Sequence, residues 1–590
     1  MTRVAERIVV LDGSAAFDVE IVGGKGASVA RMRSLGLPVP PAFVLPVDEC
    51  RRYHAAGRRL DEELWPSVLE GVAVLEQETG RRLGDRAAPL LVSVRSGAAV
   101  SMPGMMDTIL NLGINDEVES GLAQLCADPG FARNTHVRFI REFGHMVLGG
   151  DIDALPEEAT PVDLRSALVE DTGAAFPGDP YEQLEAAIRA VFDSWVSRRA
   201  IAYRKHWGIP EDGGTAAVVQ AMVFGNLGSG SGTGVLFTRD PVTGAPEMYG
   251  EWLPGGQGDD VVGGSVDPSP LSAMARQLPE AHAQLLEAAR LLEQESRDVQ
   301  DIEFTVEAGR LYLLQARTAK RSAQAAVRTA VELASEGAID RLTALSRVTP
   351  EQVASVLAPR LSEEVQALAA VLARGIPACP GVASGRVVLD PDEAEASKAD
   401  VILARPTTSP EDVPAMIAAR GVVTEAGGST SHAAVVTRAL GRPSVLGVGE
   451  GVTSEWEGAE VTIDGSAGVV YAHRLHTTEV RYEEVPALET LVAWARGLSP
   501  VDVVEQAPDV LDLDRLGVEF DAQGGLDVDE LAGQMRGATA VTGSMLTSAD
   551  GARAVLRAGV PSVVRRPDQQ EAVLLLQLVQ ARERDDKEER

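Results

Sequence analysis

The chain has 590 residues, enough for three to five domains at roughly 100–200 residues each. Its formal charge of −33, with no basic aromatic patch to offset it, excludes a nucleic-acid or anionic-membrane surface, so any anionic ligand must meet locally gathered cations. No run approaches the ~18 apolar residues of a membrane span and the start MTRVAERIVVLDG lacks a signal-peptide core, so a cytoplasmic chain is expected. Cys50, Cys126 and Cys379 are scattered, without a CxxC pair, which indicates neither a disulfide framework nor a zinc site.

In residues 23–45, GGKGASVARMRSLGLPVPPAFVL, Lys25 is one of only five lysines and stands in a glycine-rich turn before an amphipathic helix. Glycines let backbone approach a phosphate and lysine supplies a compact positive charge. The GxxxxGK[ST] spacing is absent, so this is not a Walker A loop, and an ordinary turn-helix junction fits as well. Residues 91–115, LVSVRSGAAVSMPGMMDTILNLGIN, begin as a strand, with Arg95 just after it, where a guanidinium fork can clamp phosphate oxygens. A surface arginine and core methionines are the bland alternative. Residues 216–244 read as a strand, a Gly/Ser-rich hairpin and a second strand, either a lid over a ligand or a plain β-hairpin.

In residues 298–321, DVQDIEFTVEAGRLYLLQARTAKR, Asp301 and Glu303 are two apart on an alternating segment and share a strand face. Paired carboxylates of this kind can hold magnesium, and across the turn at residues 307–309 Gln315 and Arg317 share a side; a solvated hairpin face is the alternative. Residues 322–374 read as helices, a spacer ended by Gly375-Ile376-Pro377, with the Gly/Pro stretch 375–381 as a hinge. From 380 to 471, short β-branched runs alternate with helical patterns at 411–419 and after His432, which suggests a compact β/α domain.

Within it, residues 427–441, GGSTSHAAVVTRALG, put His432 in the first turn of a helix whose apolar face is Ala433, Val436, Ala439 and Leu440, with Thr430 or Ser431 as N-cap. The free N–H groups and dipole of that end favour an anion, and a neutral imidazole is a nucleophile there; a capping or core histidine is the other reading. Residues 499–581 read as a small α/β module, with strands near GVEFDA, GATAVTG and PSVVRRP and helices at 527–535, 549–558 and 568–581; no site is assigned to it.

The histidine stretch resembles the phosphohistidine motif of pyruvate, phosphate dikinase and related enzymes that use phosphoenolpyruvate. The four N-terminal blocks follow in that family's order, over roughly residues 22–480. The resemblance implies an α/β multidomain chain: an ATP-grasp-like nucleotide domain over 1–321, a helical linker over 322–374, a swivelling phosphohistidine domain over 375–480 and a small module over 481–590. It implies His432 as phosphate carrier, and Lys25, Arg95, Asp301, Glu303, Gln315 and Arg317 as nucleotide-site residues. Gln220 and Met222 stand near adenine in that comparison, Glu303 and Gln315 as Mg2+ ligands, and Thr430 where regulated members are phosphorylated. One departure is visible: the family pattern has glutamate where Asp259 stands and arginine where Val266 stands, a change expected to weaken or retune phosphate binding.

The family continues into a large barrel for pyruvate and phosphoenolpyruvate that about 110 residues cannot hold. The expectation is therefore an ATP- and phosphate-dependent donor half whose pyruvate site lies on a separate chain. Transfer to a different small-molecule acceptor, as in rifamycin phosphotransferases, and a non-catalytic ATP sensor stand as alternatives; association into a homo-oligomer stays open.

Overall fold

The computed structural model describes the chain except residues 1–3, 6, 101, 103–105, 107, 153–154, 157–158, 208, 212, 258–267, 359, 429–430, 517–526, 567–568 and 589–590. Asp259, Val266, Thr430 and the expected GVEFDA strand lie outside the described residues.

Two antiparallel sheets build the N-terminal half. The first runs Val4–Ala5, Ile8–Val10, Ala42–Leu45, Ala216–Ala221, Val92–Gly97 and Thr108–Leu112. The second runs Ser269–Pro270, Tyr249–Pro254, Gly232–Phe237, Gln300–Glu307 and Arg310–Thr318. Arg95 lies inside the strand Val92–Gly97, not beyond its end. The expected hairpin at 216–244 does not form, because Ala216–Ala221 and Gly232–Phe237 belong to different sheets and the Gly/Ser stretch bridges them. Alternation sets a strand's faces but not its neighbour. Here Gly232 and Gly234 accept the close approach of Trp252 and Phe304, where an added Cβ would come within 2.2 and 2.6 Å of the rings. The hairpin at 300–318 forms as expected, turning through Ala308 and Gly309 at φ 49° and 81°, which suits a primed two-residue turn.

The helix Val19–Ser34 is capped by Asp18, whose side chain accepts from the Glu20 N–H, and kinks at Gly23 with φ 68°. A Cβ on Gly23 would lie 1.8 Å from the Gly97 carbonyl oxygen, so only glycine lets this helix meet the end of the Arg95 strand. Lys25 follows the kink, and the Gly24 N–H donates to the Ala98 carbonyl at 2.9 Å.

The segment expected as a mere spacer has a core of its own. Helices Ala323–Ser335, Arg341–Arg347 and Pro350–Val356 share buried Leu345, Val353, Leu491, Leu575 and Leu576 with helices Pro486–Leu498 and Glu571–Glu588. The expected boundaries at 322–374 and 481–590 thus cut one helical base, which sequence-distant apolar stripes assemble. Beyond it, a parallel sheet ordered Asp502–Val504, Ser562–Val564, Ala540–Thr542 and Val510–Asp512 packs with helices Val528–Met535 and Ala549–Ala558.

The His432 domain is an eight-stranded mixed sheet whose edge strands, Val371–Arg374 and Ile376–Cys379, are consecutive in sequence. One residue, Gly375, joins the two edges, so the sheet curls round on itself. Its Cβ would lie 2.3 Å from the Leu446 carbonyl oxygen. The expected hinge at 375–381 is therefore part of the sheet, and glycine serves backbone proximity there rather than flexibility. The chain passes between this domain and the helical base at two neighbouring places, where Arg360 and Thr478 exchange backbone hydrogen bonds of 2.8 and 2.7 Å. Among the described residues, no helix is long and apolar enough to cross a membrane.

Gly23→Ala is expected to destabilise the N-terminal half by roughly 2–4 kcal/mol through steric conflict and left-handed strain. Gly337→Ala, also at positive φ but with open space around it, should cost only about 1 kcal/mol; differential scanning calorimetry of the two variants checks the contrast.

Candidate active site

A cavity of about 1070 Å³ lies between the two N-terminal sheets and is roofed by the His432 domain. Lys25 reaches it from the kinked helix, Arg95 and Gln220 from the first sheet, and Glu303, Gln315 and Arg317 from the hairpin of the second; Met222 lies just beyond its strand. Thr408, Glu411 and His432 enter from the roof. Eight of the nine expected nucleotide-site and carrier residues thus face one space, although up to 407 positions separate them.

The ninth, Asp301, does not line the cavity. It is 3% exposed and accepts a 2.8 Å hydrogen bond from Arg317 Nε, so it braces an arginine rather than joining Glu303 in a carboxylate pair. A register irregularity between Glu303 and Phe304 interrupts the hairpin's alternation. Glu303 Oε2 and Gln315 Oε1 instead converge on the same Arg95 Nη2, at 2.8 and 3.3 Å. Two oxygen donors meeting at one point beside a charge-rich cavity fit a hard divalent cation such as Mg2+.

Lys25, Arg95 and Arg317 share this space with Arg31 and Arg199, and burial amplifies the repulsion among cations. Burial, then Arg95 and Arg317, push the Lys25 ammonium down to about 7, against the pull of Glu303. Burial alone would raise Glu303, but Arg95, Arg317 and Lys25 hold it below the usual carboxylate range. Burial keeps Asp301 above that range despite Arg317.

His432 opens the helix His432–Leu440, with Ser431 as N-cap. Burial pushes its imidazole down to about 4, so it is neutral at physiological pH. Thr408 Oγ1 lies 3.3 Å from Nδ1, while Nε2 is buried without a hydrogen bond. The ring is thus held by one nitrogen and presents the other as a nucleophile.

Several residues of the site carried no local signal. Arg199 and Glu411 pair across the interface between the N-terminal half and the His432 domain, as do Arg198 and Glu395 at 3.1 Å. An added Cβ on Gly428 would lie 3.0 Å from Glu251 Oε1, so the glycine before the histidine serves the seating of one domain on the other. Thr408 and Glu411 sit in the polar stretch before a short helix, where nothing but proximity to His432 marks them.

A cation-lined cavity closed by a separate histidine-bearing domain defines a multidomain α/β chain with a nucleotide-binding part and a mobile part. Comparison with known families agrees: residues 59–279 match the pyruvate phosphate dikinase AMP/ATP-binding domain, and residues 397–468 match the mobile domain of PEP-utilising enzymes. The chain is 41% identical over 524 residues to pyruvate, phosphate dikinase 1, chloroplastic, of Arabidopsis thaliana, covering 82% of this chain and 54% of that protein. It is 39% identical over 540 residues to the pyruvate, phosphate dikinase of Clostridium symbiosum, covering 85% and 62%. With that of Rhizobium meliloti it shares 43% over 509 residues, covering 78% and 56%. The chain therefore spans little more than half the length of these relatives.

A polyanion that binds beside Lys25 should return its pKa from about 7 toward the ordinary 10.5. Between those values binding then takes up a proton, so ATP affinity should fall as pH rises above about 7. Calorimetry in buffers of different ionisation enthalpy should show uptake approaching about one proton near pH 8, lost in Lys25→Met. For His432 the sign is opposite in consequence. Its seated pKa of about 4 lies below the ordinary 6.5 of an exposed ring, so seating is fully favoured above 6.5 and weakens as pH falls toward 4. Small-angle scattering between pH 7.5 and 5 should show the domains separating, and His432→Gln should flatten that response.

Proposed function

We propose that this chain is an ATP-dependent phosphotransferase that phosphorylates its own His432, the donor half of a pyruvate, phosphate dikinase-type reaction. The observation that carries the reading is His432 Nε2, buried and without a hydrogen bond, on a residue lining the same cavity as Lys25, Arg95 and Arg317. The family matches and the names of the relatives support it.

In this reading Gln220 and Met222 flank the base of ATP, and Lys25, Arg95 and Arg317 spread over the phosphate oxygens. Glu303 and Gln315 would hold Mg2+, which supplies charge neutralisation of the phosphates when bound. Thr408 orients the ring through Nδ1, and Nε2 attacks the β-phosphorus. The bond between that phosphorus and the α,β-bridging oxygen breaks, and AMP leaves with the oxygen. Inorganic phosphate then attacks the terminal phosphorus and departs as pyrophosphate, which leaves one phosphoryl group on His432. Little covalent chemistry falls to the protein: it positions, neutralises and excludes water with the roof domain.

The phosphohistidine passes to pyruvate when the roof domain swings away on the paired crossings at Arg360 and Thr478. Among the described residues the C-terminal sheet has four strands and forms no barrel; in this scheme pyruvate is met at a site other than the nucleotide cavity.

ATP labelled at the β-phosphate, supplied with magnesium and phosphate, should leave acid-labile label on the wild-type protein with release of AMP, and none on His432→Ala. Equal label on both proteins, or wild-type protein that binds ATP and takes no label, would overturn the reading.

A further inference from the structure

Arg438 lies on the His432 helix, yet it is buried at 3% exposure and its charge looks outward from its own domain. Within that domain its Nη1 donates a 3.4 Å bond to the Ala378 carbonyl. Across the interface its guanidinium carbon stands 5.8 Å from the centre of the Phe237 ring. Phe237 is the middle of a row: it is directly opposite Tyr249 on one neighbouring strand and Asp301 on the other, and Asp301 is opposite Arg317. Arg438 therefore sits over a row that ends in a cation of the nucleotide cavity.

Asp301 is built to serve two arginines. One oxygen accepts from Arg317 Nε, and the other is buried without a hydrogen bond. Two carboxylates that act on Arg438, Asp301 and Glu251, belong to the N-terminal half, so the guanidinium loses these two when the domains part. Seating takes the Arg438 charge out of water and these carboxylates offset that cost, so removing one of them leaves a buried charge short of a partner in the seated arrangement.

We infer that Arg438 is a positioning residue that couples seating of His432 to the nucleotide cavity, by sharing Asp301 with Arg317. With Arg438 seated, Asp301 is balanced from two sides and Arg317 has more of its charge to offer a phosphate; with the domain away, Asp301 draws on Arg317 alone. Coupling is reciprocal, so nucleotide in the cavity should favour seating by the same factor that seating favours nucleotide. The inference rests on the phosphotransfer reading for its purpose, but its test does not need phosphate to move.

Cysteines introduced at Arg198 and Glu395, which pair across the interface, report seating when joined by a short bifunctional thiol reagent in a Cys126→Ser background. ATP should raise the cross-linking rate of this parent protein. Arg438→Met should lower the rate about tenfold or more and abolish the response to ATP, while Arg438→Lys should recover part of both. Asp301→Asn should act in the same direction, and the double variant Arg438→Met/Asp301→Asn should be no worse than the more affected single variant. Arg438→Met that cross-links within about twofold of the parent and keeps its ATP response would overturn the inference, as would full additivity of the two substitutions. Failure of label to reach His432 in a parent that still cross-links in an ATP- and Arg438-dependent way would count against the phosphotransfer reading alone.

Discussion

Lys25, Arg95 and Arg317 share one cavity, and their mutual repulsion in a poorly screened space is the constraint around which the N-terminal half is arranged. Glu303 lies against Arg95, Asp301 braces Arg317, and Lys25 relieves the remainder by losing part of its proton affinity. Such a cluster is incomplete without an anion. On a chain of charge −33 these local cations, rather than the overall field, decide what can enter. The backbone makes the same demand: Gly23 brings the Lys25 helix against the Arg95 strand where any side chain would collide.

The roof adds a second constraint, because in the proposed reaction the histidine must be buried to react and must be able to leave. Its contacts suit both. Arg198–Glu395 is largely exposed and Arg199–Glu411 is partly so, which makes each a modest contribution. The buried element of the interface is Arg438 beside Phe237. Burial also keeps His432 neutral, so the same closure that excludes water would prepare the proposed nucleophile.

Much of the site was legible because several cavity-lining residues sit in a local setting that marks them. Lys25 follows two glycines, His432 follows a Gly-Gly turn and an N-cap, and Glu303 and Gln315 flank a short turn in an alternating hairpin. Glycine was also the source of the misreadings. The 375–381 stretch reads as a hinge but closes a sheet, and the Gly/Ser segment after Ala221 reads as a hairpin turn but crosses between sheets. In both places glycine marks close approach of another backbone or ring, which is a tertiary fact.

The sequence by itself determined most of the strands and helix starts, because hydrophobic period, capping residues and turn chemistry act over a few neighbouring positions. Only the tertiary structure decided which strands pair, that the helices of 323–356 share one core with helices Pro486–Leu498 and Glu571–Glu588, that Asp301 braces Arg317 instead of facing the cavity, that Arg199, Thr408 and Glu411 line it, and that Arg438 lies against Phe237. Those contacts join residues far apart in the chain, and their energies depend on burial and distance, quantities that exist only once the sheets have closed over one another and the His432 domain has seated upon them.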